Sequence, residues 1–148
     1  MNITGSCHCG DIAFTLDWPE TAADIVARLC DCSFCVKHGG AWTSNREARL
    51  TVSFRHPEAV SRYAFGTNTV SFLVCALCGV VPVVLSEIAS HTYAVVNVNT
   101  FENPAALSIR TQAAGFDQEE LQVRLARRQR NWIHDVTIAA GTHATTRP

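Results

Sequence analysis

The sequence predicts a mainly β protein that closes on one short C-terminal helix. Three observations carry this. Apolar and polar residues alternate with a period of two in the first half, short runs rich in Val, Tyr and Thr are set off by Gly and Pro, and the period becomes helical only near the end. The chain has 148 residues, enough for one domain with a real core. It is 47% hydrophobic and 17% charged, which excludes a disordered chain. Twelve basic against thirteen acidic side chains give a net charge of −1, so the basic surplus of a nucleic-acid binder is missing.

The elements follow in order. Ile12, Phe14 and Leu16 alternate with polar or small residues and define a strand up to Trp18-Pro19. Asp24 to Leu29 reads as a second strand running into Cys30, with helix the other option there. Gly39-Gly40 breaks the chain, and Ala41 to Ser44 can begin another strand. Leu50 to Phe54 favours β structure and stops before Pro57. Arg62 to Phe65 and Thr69 to Val74 form a hairpin candidate around Gly66-Thr67-Asn68. Val80 to Leu85 and Thr92 to Val98 are the last two strands expected, leaving Cys75 to Gly79 in a turn. Asp117 followed by Glu120 reads as a capping box for a helix over residues 118–130. Leu121, Leu125 and Trp132 would be its buried side, with Arg124, Arg127, Arg128 and Arg130 on its wet face. The domain is expected over residues 1–136, with 137–148 a flexible tail that is small and polar from Ala139.

Residues Met1 to Gly10 have neither a basic n-region nor an apolar h-region, so no secretory signal is expected and the protein reads as cytoplasmic. Phe72 to Leu85 is the longest run without a polar side chain other than cysteine. At 14 residues, interrupted by Pro82, it is too short to span a membrane.

Seven cysteines fall into three tight groups: Cys7 and Cys9; Cys30, Cys32 and Cys35; Cys75 and Cys78. An odd count at such short spacings does not suit a disulfide framework, because bridging near neighbours closes almost no loop. Metal chelation does suit it, since two thiolates on one tight turn can face one ion. Seven divides as four plus three. Cys7, Cys9, Cys75 and Cys78 make a closed tetrahedral site tying the N-terminal strand to a central hairpin. Cys30, Cys32 and Cys35 offer three sulfurs and leave a fourth position open. Thiolate softness favours zinc, with an iron–sulfur cluster left open by spacing.

Taken with their neighbours, these groups resemble a known family. Gly5-Ser6-Cys7-His8-Cys9-Gly10, Cys30-x-Cys32-Ser33-x-Cys35 and Cys75-x-x-Cys78-Gly79 are similar to the glutathione-dependent formaldehyde-activating enzymes, a family that includes centromere protein V. Gly40-Ala41-Trp42, Tyr63-x-Phe65-Gly66-Thr67, Val96-Asn97-Val98 and Arg127-Arg128-x-Arg130-Asn131-Trp132 extend the resemblance from Ile3 to about Val136. It implies an Mss4-like fold of zinc-stabilised β-sheets and two zinc ions per chain. It implies that Cys7, Cys9, Cys75 and Cys78 hold the structural ion and that Cys30, Cys32 and Cys35 hold the catalytic one. It also implies a carbon–sulfur lyase joining a small thiol, glutathione, to a small aldehyde, formaldehyde. One departure lies in Val80 to Val84, wholly aliphatic where the family carries His-Pro or an aromatic residue.

Plainer readings stand beside these. The quartet residues can be buried thiols, and the trio can be a second structural site, a vestige or a redox pair. A thioredoxin-type motif lacks its βαβ surroundings, and Val36 after Cys35 excludes c-type haem attachment. His8, between two ligands, is expected to point outward, and His91 and His134 to be ordinary surface or core residues. Trp42 and Trp132 read as core, with a place beside substrate open for Trp42. His38 and Lys37 are proton-source candidates by proximity. Lys37, Arg46, Arg49 and Arg62 are the candidate cations for the carboxylates of glutathione. The alternative function is a non-catalytic zinc-stabilised scaffold that binds a protein or nucleic-acid partner, through the arginine-bearing helix.

Overall fold

The computed structural model describes residues 1–139. Its strands are β1 (Asn2–Ser6), β2 (Ile12–Asp17), β3 (Asp24–Cys30), β4 (Trp42–Thr43), β5 (Arg49–Phe54), β6 (Val60–Tyr63), β7 (Ser71–Cys75), β8 (Val83–Ile88), β9 (His91–Asn97), β10 (Ser108–Ala114) and β11 (Asp135–Ala139). Helix α1 (Ser33–His38) follows β3, and α2 (Leu121–Asn131) lies between β10 and β11. The fold is mainly β, as the alternation predicts. Among the described residues no helix is long and apolar enough to cross a membrane.

The strands form two sheets. The smaller runs β1-β2-β5-β11 and the larger β10-β3-β4-β9-β8-β7-β6. In the smaller sheet Phe14 faces Val52 and Leu16 faces Leu50 across the β2–β5 pair. In the larger, Val83 faces Val96 and Leu85 faces Ala94. Successive strand residues point to opposite faces, and this sorts the larger sheet into two cores. Leu73, Val83, Leu85, Ala94 and Val96 pack with Ile3, Phe14, Leu16, Leu50 and Val52 of the smaller sheet. Their neighbours Phe72, Val84 and Val95 turn to the other face and cluster with Cys35, Trp42 and Trp132. A strand covered on both faces has no polar side to keep, which explains the aliphatic run through Val80 to Val84.

Several expectations change. The β6–β7 hairpin forms, with Val60 opposite Cys75 and Tyr63 opposite Phe72, but its strands end at Tyr63 and begin at Ser71, so its loop is longer than expected. Three strands were not expected. β1 pairs with β2, β10 lies parallel to β3 from Ser108↔Asp24 to Ala114↔Cys30, and β11 lies parallel to β5. β11 takes in residues 137–139, so the strand continues past the expected end of the domain; the rest of the expected tail lies outside the described residues. Helix α2 starts at Leu121 with Glu120 as its N-cap residue and no side-chain cap, so the capping box at Asp117 does not form. The nearby Glu119 is instead committed to Arg127, with contacts of 3.0–3.2 Å.

Candidate metal centre and adjoining cavity

The seven cysteines assemble as two groups. The β1–β2 turn brings Cys7 and Cys9, and the β7–β8 turn brings Cys75 and Cys78, so each sheet contributes one pair. Both turns are locally closed: Gly10 N–H donates to Cys7 O at 3.0 Å and Gly79 N–H donates to Cys75 O at 2.8 Å. Gly79 does so at φ +83, in the left-handed region that disfavours any side chain. The four sulfurs all lie within 4.8 Å of one another. Cys7 and Cys9 Sγ are 3.7 Å apart, and Cys9 and Cys75 Sγ are 3.5 Å apart. Tetrahedral coordination by four thiolates at a bond length of about 2.3 Å requires sulfurs about 3.8 Å apart. The quartet therefore fits a closed zinc site. Cys7 and Cys75, 1% and 0% exposed, are part of the inter-sheet core. Burial pushes the Cys7 thiol up to about 12, although Ile12 N–H donates to its sulfur at 3.2 Å. Cys78 sits at about 6: burial opposes its ionisation, but the backbone N–H groups of Val80 and Cys9, with the Cys75 thiol, outweigh it. His8 is exposed, and the clustered ligand set does not include it.

The second group is local. Cys30 ends β3, Cys32 is the N-cap of α1, and Cys35 is in its first turn. Cys35 N–H donates to Cys32 Sγ at 3.4 Å, and the helix stops where Gly39 N–H donates to Cys35 O. Sequence reading missed this helix, although a cysteine can cap as a weak analogue of serine. Its three sulfurs also lie within 4.8 Å of one another. The indole N–H of Trp42 donates to Cys35 Sγ at 3.3 Å. A hydrogen bond from Cys35, joined by the Cys32 backbone N–H and opposed by burial, lowers Cys30 to about 6. The same bond to Cys30, with burial, pushes Cys35 well up. A thiolate already favoured beside two further thiols suits a three-sulfur metal site.

The trio borders a cavity of about 440 Å³. One part of its wall is aromatic and aliphatic: Trp42, Phe65, Phe72, Val84, Val95 and Trp132. The rings of Phe65 and Phe72 stack with centroids 5.7 Å apart. The other part is cationic. Arg28 and Cys30 are two positions apart on β3, so both project to the cavity face, and Arg28 stands opposite Trp42 in the sheet. Helix α2 adds Arg124, Arg127 and Arg128, at spacings of three and four that place them on one helix face.

This corrects the expectation for three of the four arginines of α2, while Arg130 is exposed and Trp132 buried as expected. Arg128 is only 6% exposed, while Leu121 and Val123 are 41% and 53% exposed. The helix packs its arginine stripe over the cavity, so these residues are not its wet face. Arg128 donates to Thr69 Oγ1 at 2.8 Å, and its Nε is buried with no hydrogen-bond partner among the described residues. Burial, then the charges of Arg127 and Arg124, lower it to about 10, which leaves it charged at neutral pH. Arg28 is lowered by burial and by Arg127. The cations suggested from sequence lie elsewhere. Arg46 bonds Gln129 O, Arg49 pairs with Asp135 at 3.2 Å, and Lys37 and Arg62 are exposed and outside the cavity wall. His38 stacks on Phe34 and likewise does not line the cavity. The wall arginines were missed, although the period of two back from Cys30 and the helical spacing of the arginines both signal a shared face.

Two packed β-sheets with one closed and one open-sided sulfur cluster define a class of small β protein with two candidate metal sites. The chain belongs to the glutathione-dependent formaldehyde-activating enzyme family, whose model matches residues 2–117. That match holds all seven cysteines and stops short of α2, whereas the resemblance read from sequence reaches Val136. Among solved structures, a Rhodobacter sphaeroides protein known from a structural genomics crystal structure is 30% identical, with a TM-score of 0.52. The similarity covers 75% of this chain and 99% of that one. Lyase-like chemistry on glutathione and an aldehyde is thereby supported at the level of the family.

Proposed function

We propose that this protein is a carbon–sulfur lyase of the S-(hydroxymethyl)glutathione synthase type, working at the Cys30–Cys32–Cys35 site. The observation that carries the reading is the separation of roles. Four sulfurs close on one another at the junction of the two sheets, with Cys7 and Cys75 in the core, while three others border a cavity large enough for a small-molecule substrate.

Cys7, Cys9, Cys75 and Cys78 would hold a structural zinc ion, and Cys30, Cys32 and Cys35 a second one. Bound there, zinc supplies Lewis acidity that brings a thiol's ionisation into the neutral range. The chain's own residues do the rest. α1 and β3 fix three sulfurs on one side and leave the cavity side free. Trp42 holds Cys35 through its indole N–H. Phe65, Phe72 and Trp132 give the cavity an apolar wall beside the trio, where an adduct would be less exposed to water that returns it to its components. In the overall reaction a sulfur–carbon bond forms from the thiol to the aldehyde carbon. The carbonyl π bond becomes a lone pair on oxygen, and the thiol proton ends on that oxygen.

The test is hemithioacetal formation from glutathione and formaldehyde in protein with measured metal content, against the spontaneous rate. Acceleration that is lost in Cys32→Ser supports the reading. No acceleration by protein holding two ions refutes it. The alternative of a partner-binding scaffold drew on arginines exposed along the C-terminal helix, and Arg124, Arg127 and Arg128 instead face the cavity.

A further inference from the structure

We propose that Arg28 and Arg128 form an anion subsite that makes the cavity selective for a thiol bearing a carboxylate. The proposal rests on the reading of the trio as the thiol-accepting site and assigns the residues that choose the thiol.

Charge carries the argument. Four guanidinium groups line the cavity against two lining carboxylates, Asp117 and Glu119. Glu119 is spent on Arg127, which it meets through both carboxylate oxygens, and it also lies 3.7 Å from Arg124. Arg124 is further tied to Phe116 O at 2.6 Å, and Arg127 lies over the Phe116 ring at 3.8 Å. Neither Arg28 nor Arg128 has a carboxylate within 4.0 Å among the described residues, and the charge of Glu119, already paired with Arg127, is the one that reaches Arg128. Arg28 reaches Ser44 Oγ at 2.7 Å, and Arg128 reaches Thr69 and Ser86. Those are neutral acceptors for fixed charges. A buried guanidinium without a counter-charge is costly, and a chain keeps one where a ligand completes it. The planar fork of arginine matches a carboxylate in two-point fashion.

Placement makes this selectivity rather than simple attraction. Arg28 shares a strand face with Cys30, whereas Arg128 comes from α2, beyond the residues matched by the family model. A ligand that reaches both the trio and these arginines must carry a sulfur and an anionic group on one molecule. Small neutral thiols satisfy only half of the wall.

The probe is S-methylglutathione, whose sulfur cannot ionise, so its binding reports the anion subsite separately from thiol capture. Calorimetry on the zinc-loaded full chain is expected to show binding. Its diethyl ester, and S-methylglutathione with Arg128→Met or Arg28→Met, are expected to bind about tenfold more weakly or worse. Equal affinity of the wild type for probe and ester overturns the proposal, and that comparison needs no variant to fold. Wild-type affinity in both folded variants overturns it too. The reading of the trio is followed independently in cobalt-substituted protein, by the change in thiolate-to-metal absorption when glutathione is added. Failure of that signal with the ester discrimination intact would sink the thiol-capture reading and leave the subsite standing.

Discussion

Stripping the protein of metal, or replacing Cys75 by serine, is expected to unfold it far below its native midpoint. Cys7 and Cys75 are buried in the core between the sheets, and the quartet joins the β1–β2 turn of one sheet to the β7–β8 turn of the other. A four-cysteine zinc site contributes on the order of 10 kcal/mol of folding free energy. Whole domains are stable by about 5–15 kcal/mol, so such an ion would supply a large share of the total. At about 2–4 °C of midpoint per kcal/mol for a chain of this size, chelation should lower the midpoint by about 20 °C or more. Cys75→Ser should cost at least about 3 kcal/mol, since it removes a ligand and leaves a hydroxyl in a buried, apolar place. Circular dichroism melts with and without chelator, with zinc repletion and elemental analysis, measure this. Cys32→Ser is the control: its site is contained in six residues and links no two sheets, so its melt should move far less. A chelated sample shown to be metal-free that still melts cooperatively within a few degrees of the native protein would refute the reasoning. So would equal shifts from Cys75→Ser and Cys32→Ser.

Two further outcomes are expected. Asn97 is buried, accepts from the backbone N–H groups of Ala41 and Asn99 and donates to Val81 O at 3.1 Å. Asn97→Ala should cost about 2–4 kcal/mol with an unchanged denaturant slope, and a cost under about 0.5 kcal/mol would show these groups finding other partners. A Cβ on Gly40 would stand 2.5 Å from the Trp42 ring, so Gly40→Ala must move the indole that donates to Cys35. A loss of about 1–3 kcal/mol with a shifted tryptophan emission is expected, and an unchanged spectrum would contradict the contact.

The strands whose two-sided or alternating burial is carried by large apolar side chains were legible in the sequence, whereas β1 was missed because one of its two buried positions is Gly5. Phe14 and Leu16 of β2, and Val83 to Leu85 of β8, carry their pattern in side chains that pack. β10 was not legible because its side chains are mostly exposed, and its parallel pairing with β3 is made through the backbone. The sulfur groups were legible because chelation imposes spacing on the sequence itself. The cationic wall was not. An amphipathic stripe shows that two faces differ, and the default places the charged one in water. Beside a cavity with one cationic wall the sign reverses, and Arg128 goes in while Val123 stays out.

The quartet also sets an order on the birth of the molecule. Cys9 and Cys75 are 66 positions apart, so the first pair emerges from the ribosome long before the second exists. An N-terminal knuckle with two thiols cannot close a tetrahedral shell, and the smaller sheet must wait for β7 and β8 before its cross-link can be set. If zinc fills the quartet as proposed, the ion would become a lasting cross-link only once Cys78 has been made, and metal arriving earlier would meet an incomplete shell.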